Sequence, residues 1–123
     1  MAKKEINTDL WVYDLLKEAN INLDPQGSKI IEIDNALKTA SKKGTGNVGF
    51  PEYVGIVKDF VLVIEDKYST DKQVKYSEDG ILDFSTNAIT DYALNGAYFY
   101  AKHILENTNY KKAIAFGISG NEK

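Results

Sequence analysis

An α/β sandwich built on a mixed sheet is the fold this chain predicts, and three stretches predict it. Residues 53–67, YVGIVKDFVLVIEDK, are two apolar runs separated by Lys58-Asp59, the pattern of a hairpin. Residues 85–107 carry Ala93, Gly96, Ala97, Tyr100, Ala101 and Ile104 on one face at helical spacing. Residues 112–119, KAIAFGIS, form a last apolar strand. Hairpin, helix and strand in that order give a mixed sheet with a β-hairpin core flanked by helices.

The other elements follow in chain order. Asn7 or Thr8 can cap a first helix, in which Trp11, Val12, Leu15, Leu16 and Ala19 make one apolar stripe. Pro25 and Gly27 mark a turn over residues 20–27. Ser28 can cap a second helix that runs to about Lys42, with Ile30, Ile31, Ile33 and Leu37 as its apolar positions. Residues 43–49 hold three glycines and no periodicity, so they read as a flexible loop leading to Glu52. Residues 68–84 are mostly polar, and Asp79-Gly80 marks a turn with a small hairpin of its own. Ser85 or Thr86 opens the longest helix, which reaches about Asn107. Its small side chains suit close packing on a sheet.

Length and composition describe one compact domain over residues 1–123. A chain of 123 residues buries a single core and little more. With 43% hydrophobic and 27% charged residues it has the make-up of a soluble globular protein. The lack of cysteine excludes a disulfide framework, a cysteine zinc knuckle and a thiol nucleophile. No apolar run approaches the roughly 20 residues that span a bilayer, and the first residues are too polar for a signal peptide. The expected location is therefore the cytoplasm, with no membrane partner. A net charge of −3 runs against a free-standing nucleic-acid binder, which normally has a basic excess. It is compatible with a domain brought to DNA by a larger protein. The chain stops shortly after its last strand, and the expected organisation is the N-terminal piece of a longer polypeptide.

The chemistry is concentrated in residues 50–67. Phe60–Lys67 is apolar until its last three residues, Glu65-Asp66-Lys67. Side chains alternate along a strand, so Glu65 and Lys67 share one face and Asp66 takes the other. Glu52 follows Pro51 on the approach to the first arm. Two carboxylates can hold a divalent cation, and an ammonium beside them can orient water and offset charge on a phosphate. The bland alternative is a solvent-facing Glu–Lys pair at a strand end, which contributes little. Asp66, on the opposite face, reads as structural.

Pro51-Glu52 followed by Glu65-x-Lys67 resembles the PD-(D/E)xK nuclease signature, with glutamate in place of the usual aspartate after the proline. Gly49-Phe50-Pro51-Glu52-Tyr53-Val54 resembles the approach to the first carboxylate in nuclease domains of restriction–modification enzymes. Val63-Ile64-Glu65-Asp66-Lys67 resembles their V-I-E-x-K strand. The helix around residues 92–101 is similar to one that, in type I restriction subunits, often carries Q-x-x-x-Y before an alanine. Tyr100 matches that tyrosine, whereas Gly96 stands where the glutamine would be. This departure points towards a relative such as a fused nuclease–methylase.

What the resemblance implies is a restriction-endonuclease-like fold and a DNA endonuclease that hydrolyses phosphodiester bonds with Mg²⁺, for which Mn²⁺ can substitute. Glu52 and Glu65 would be the metal ligands, and Lys67 would complete the catalytic set. Tyr100 is a candidate supporting hydroxyl, although its place on the packed face suits a core residue as well. A further acid from the first two helices often completes such sites, and Asp9, Glu18 and Glu32 are the candidates here. Lys38, Lys42 and Lys43, beside Gly44-Thr45-Gly46, are candidate DNA contacts or equally a solvated helix end. DNA and the other domains or subunits of a restriction–modification enzyme are the implied partners. The rival reading keeps the fold without turnover, as a docking module for protein or DNA. Other motifs carry less. Gly44-x-Gly46 has no strand before it and no helix after it, as a nucleotide loop requires. Gly117-Ile118-Ser119-Gly120 lacks the spacing of a serine elbow. His103, alone and without cysteines, makes no zinc site.

Overall fold

A computed structural model describes residues 3–19, 21, 23, 30–40 and 51–120, with side chains described from Leu10 onward. Three helical and strand layers are built in the order α1 (Lys3–Glu18), α2 (Ile31–Leu37), β1 (Tyr53–Val57), β2 (Phe60–Lys67), α3 (Thr86–Asp91), α4 (Ala93–Asn107) and β3 (Ala113–Ser119). A single 3₁₀ turn, Thr70–Lys72, follows β2.

The sheet has the order β1-β2-β3, with β2 in the centre. β1 and β2 pair antiparallel, Tyr53 opposite Ile64 and Val57 opposite Phe60, around a two-residue turn at Lys58-Asp59. Lys58 takes the left-handed conformation (φ 57°) that such a tight connection demands. β3 pairs parallel to β2, from Val61 opposite Ala113 to Lys67 opposite Ser119. The sheet is therefore mixed, as the order of hairpin, helix and strand predicts.

Alternation along β2 divides the core in two. Val61 and Val63 face α2 and α4, where Ile33, Leu37, Ala97, Tyr100, Ala101 and Ile104 pack on them. Leu62 and Ile64 face the other way, joining Tyr53 and α1 through Val12 and Leu16. The small-residue face of α4 is buried along its length, at Ala93, Gly96, Ala97, Tyr100, Ala101 and Ile104. Within the expected α1 stripe only Val12 and Leu16 are buried, while Leu15 is 40% exposed.

Several boundaries differ from the sequence expectation, each for a local reason. α1 already runs from Lys3, so Asn7 and Thr8 lie inside it and do not cap it; Lys3, Lys4 and Glu5 are good helix formers that extend it backwards. α2 ends at Leu37, well short of Lys42. Its last turn tightens into i to i+3 bonds from Lys38, Thr39 and Ala40, and the Thr39 hydroxyl takes up the Ala36 carbonyl. The expected cap Ser28, most of the turn over 20–27 and the loop over 43–49 lie outside the described residues. The small hairpin near Asp79-Gly80 is a single antiparallel bridge between Tyr76 and Leu82, with Gly80 at φ 80°.

The largest difference is in the long helix, which is two. Ser85 caps α3, its hydroxyl accepting from the Ala88 N–H. The Asp83 carboxylate accepts the Ser85 N–H at 2.8 Å, and this bond with that of the Ser85 hydroxyl holds its pKa below the usual carboxylate value. Tyr92 then turns extended (φ −116°, ψ 137°) before α4 starts. There the chain meets a segment from much earlier: the Leu94 N–H donates to the Gln73 carbonyl at 2.9 Å. Next to it Asn95, fully buried, accepts from the Lys75 N–H and donates to the carbonyls of Lys75 and Asp83, all at 2.8–2.9 Å. Changing Asn95 to Ala strands these three backbone groups. It is expected to lower stability by about 3 kcal/mol, read as a shift in the urea midpoint with unchanged slope.

Candidate functional site

The C-terminal end of β2 gathers the charged residues. Glu65 and Asp66 are buried, at 4% and 2% exposure, and Lys67 is half-buried. Alternation continues past Val63, so Glu65 and Lys67 belong to the α4 face of the sheet and Asp66 to the α1 face. One step beyond the Tyr53–Ile64 pair, the register places Glu52 across from Glu65. The Glu52 backbone N–H donates to Glu65 Oε1 at 3.2 Å. That bond fixes a buried carboxylate at the mouth of the hairpin and joins the two acidic positions through one residue's backbone and the other's side chain.

On the other side of Glu65 lies Gly117, its partner in β3. A Cβ on Gly117 would meet Leu94 Cα at 2.7 Å and the Ala93 carbonyl carbon at 2.9 Å. The absence of a side chain there lets the first residues of α4 settle directly on the sheet. α4 thus begins one strand away from Glu65, a lateral spacing of about 4.8 Å. The Gln73 side chain closes the same corner by donating to the Gly117 carbonyl at 2.7 Å. The site is a corner formed by two strand ends, a helix start and the segment after the 3₁₀ turn.

The other candidates fall in different places. Tyr100 is buried in the core, two turns along α4 from its start. Glu18 is exposed at the last residue of α1. Glu32 accepts the Asn109 N–H at 3.0 Å, just past the far end of α4, so it stands about 20 Å along the helix from the corner. Lys38 is exposed just after α2. The Asp9 side chain, Lys42 and Lys43 lie outside the described residues. His103 is half-buried, with Nε2 3.1 Å from the Ala36 carbonyl and 3.0 Å from the Thr39 hydroxyl. It joins α4 to the end of α2. The corner also includes residues that sequence reasoning passed over, Gln73, Asn95 and Tyr92. Their partners come from other elements of the chain, 12 to 44 residues away, and no local pattern marks them.

Glu52 and Glu65 are hard oxygen donors. Mg²⁺ is typically held by one or two carboxylates and keeps several waters. Among the described residues no cluster of three or more acidic, histidine or cysteine side chains forms a cation cage. A donor set of at most two carboxylates suits a partly hydrated ion and not a fully protein-ligated one.

Comparison with known proteins places this corner in context. The chain is 39% identical, over 122 residues and 98% of its length, to the type II restriction enzyme and methyltransferase RM.BcgI of Heyndrickxia coagulans. It spans 19% of that protein's length. The similarity supports a link to restriction–modification. No family model matches the chain, and no solved structure matches it. Among the described residues no helix is long and apolar enough to cross a membrane.

Proposed function

We propose that this domain is the DNA-cleaving part of a restriction–modification enzyme, a divalent-metal-dependent deoxyribonuclease of the PD-(D/E)xK type. The observation that carries this is the hydrogen bond from the Glu52 N–H to the Glu65 carboxylate at the end of β2, with Lys67 two residues on along the same face. Similarity to a restriction enzyme and methyltransferase along nearly the whole chain supports it.

Glu52 and Glu65 would hold Mg²⁺ or Mn²⁺. When bound, such an ion supplies positive charge to a phosphoryl oxygen and makes a coordinated water more acidic. The chain's own groups do the rest. The Glu52 N–H fixes the rotamer of Glu65, so the carboxylate is in place before substrate arrives. Burial of Glu65 and the close seating of α4 limit the water around it. Lys67 would hold the attacking water in line with the phosphorus, take its proton as the free amine, or, as the ammonium, offset negative charge on the phosphoryl oxygens. The acidic net charge leaves DNA loading and target choice to other parts of the enzyme.

The test is cleavage of supercoiled plasmid by the full-length protein. Nicking is expected with Mg²⁺ or Mn²⁺, none with excess chelator, and none from Glu65→Ala. Cleavage by Glu65→Ala at the wild-type rate would overturn the proposal and leave the domain a docking role.

A further inference from the structure

Beside the corner, two ammonium groups converge on one aromatic ring. Lys72 Nζ lies 5.0 Å from the centroid of the Tyr92 ring and Lys75 Nζ lies 5.9 Å from it, both within cation–π range. Gathering two like charges on one ring is unfavourable unless the backbone enforces it, and here it does. Gln73, between the two lysines, is tied by its carbonyl to the Leu94 N–H and by its side chain to the Gly117 carbonyl. The backbone of Lys75 is clamped from both sides by the buried Asn95. Tyr92 is the residue at which the long helix breaks, so its ring is set by the start of α4. A polar connection that served only to link β2 to α3 would have no need of these ties.

Two carboxylates lie nearby. Asp71 is engaged by the Ser69 hydroxyl, and Asp83 by the Ser85 N–H, although Asp83 also feels the charge of Lys75. Among the described residues neither Lys72 nor Lys75 forms an ion pair, and Lys75 is exposed. The result is a held segment of backbone that carries two ammoniums to one ring. Gln73, between the two lysines in sequence, donates to the carbonyl of Gly117, the strand partner of Glu65.

We infer that Lys72 and Lys75, seated on Tyr92, bind a DNA backbone phosphate adjacent to the one that is cut. The inference rests on the nuclease reading for the identity of the anion, but its test is separate. Two ammoniums held on one ring suit a phosphodiester, which presents its charge at a regular spacing and needs no base-specific contact. By fixing the neighbouring phosphate, the pair would set how the backbone runs past Glu65 and Lys67. Lys38, Lys42 and Lys43 are not required for this contact.

The experiment measures binding of the full-length protein to a short DNA duplex across a range of salt, with Ca²⁺ replacing Mg²⁺. Lys72→Gln/Lys75→Gln is compared with Lys102→Gln/Lys112→Gln, which removes the same charge from the far part of α4 and from the start of β3. Loss of this one phosphate contact is expected to weaken binding about 10-fold and to flatten the log–log salt slope by about 0.9. The control pair is expected to leave the slope unchanged. An unchanged slope in Lys72→Gln/Lys75→Gln, or an equal loss in the control, overturns the inference. Because the readout is binding, failure of the cleavage reading in the Glu65→Ala assay is recognised separately. A protein that cuts DNA but keeps its slope without Lys72 and Lys75 refutes the phosphate contact alone.

Discussion

Replacing Lys67 by alanine is expected to lower DNA cleavage by about 10²- to 10⁴-fold, the range for removing a group that handles the proton of an attacking water. The same variant is expected to keep its metal-dependent stability. An ion that binds only the folded state raises the melting temperature through the carboxylates that hold it, and alanine at 67 leaves Glu52 and Glu65 in place. Glu65→Ala is expected to lose both the cleavage and the Mg²⁺-dependent rise in melting temperature. This contrast separates the two roles on one strand face: a carboxylate already fixed by the Glu52 N–H, and an ammonium two residues further out, half-buried at the strand end. Wild-type cleavage by Lys67→Ala would remove that residue from the reaction and the PD-(D/E)xK reading with it.

Gly117→Ala is expected to cost about 3 kcal/mol of stability or more, an unusually large effect for a single methyl group. The atoms that the new Cβ would meet belong to the backbone of Ala93 and Leu94. That backbone cannot retreat without breaking the bond from the Leu94 N–H to the Gln73 carbonyl. Gly55 is the instructive comparison. There the added carbon meets only the outer atoms of the Leu23 side chain, which can turn aside, so Gly55→Ala is expected to cost less. The measurement is the urea midpoint of the two variants. A smaller loss at 117 than at 55 would mean that α4 shifts easily on the sheet, and the close seating beside Glu65 would not be a fixed feature.

How much of this could be read from the sequence depended on whether the controlling contact was local. The hairpin, its turn at Lys58-Asp59, the final strand and the end of α4 at Asn107 come from patterns within a few residues of one another. So does the shared face of Glu65 and Lys67, since alternation needs only the strand. The break at Tyr92 was hidden because the apolar positions keep helical spacing across it, from Ala88 and Ile89 to Ala101 and Ile104, and the partners that divide the stretch are Gln73 and Lys75. The early end of α2 is a matter of one threonine hydroxyl turning back to Ala36. Lys72 and Lys75 look like ordinary solvated charges in a polar stretch. Only the ties of Gln73 and Asn95 to distant backbone bring them onto one ring.

The parallel pairing of β2 with β3 also sets the order in which the domain can come together. β1 and β2 are joined by a two-residue turn and can zip up within microseconds, whereas β3 begins only at Ala113 and must wait for α3 and α4. Contacts between distant parts of a chain form late, because the entropy of closing the intervening loop opposes them. Glu52 and Glu65 meet inside the early hairpin, but Gly117, the seat of α4 and the ring of Tyr92 arrive with the last strand. A chain still on the ribosome therefore carries its acidic pair without the corner that surrounds it. On the proposed nuclease reading, a centre completed by the final strand ties cleavage to finished folding.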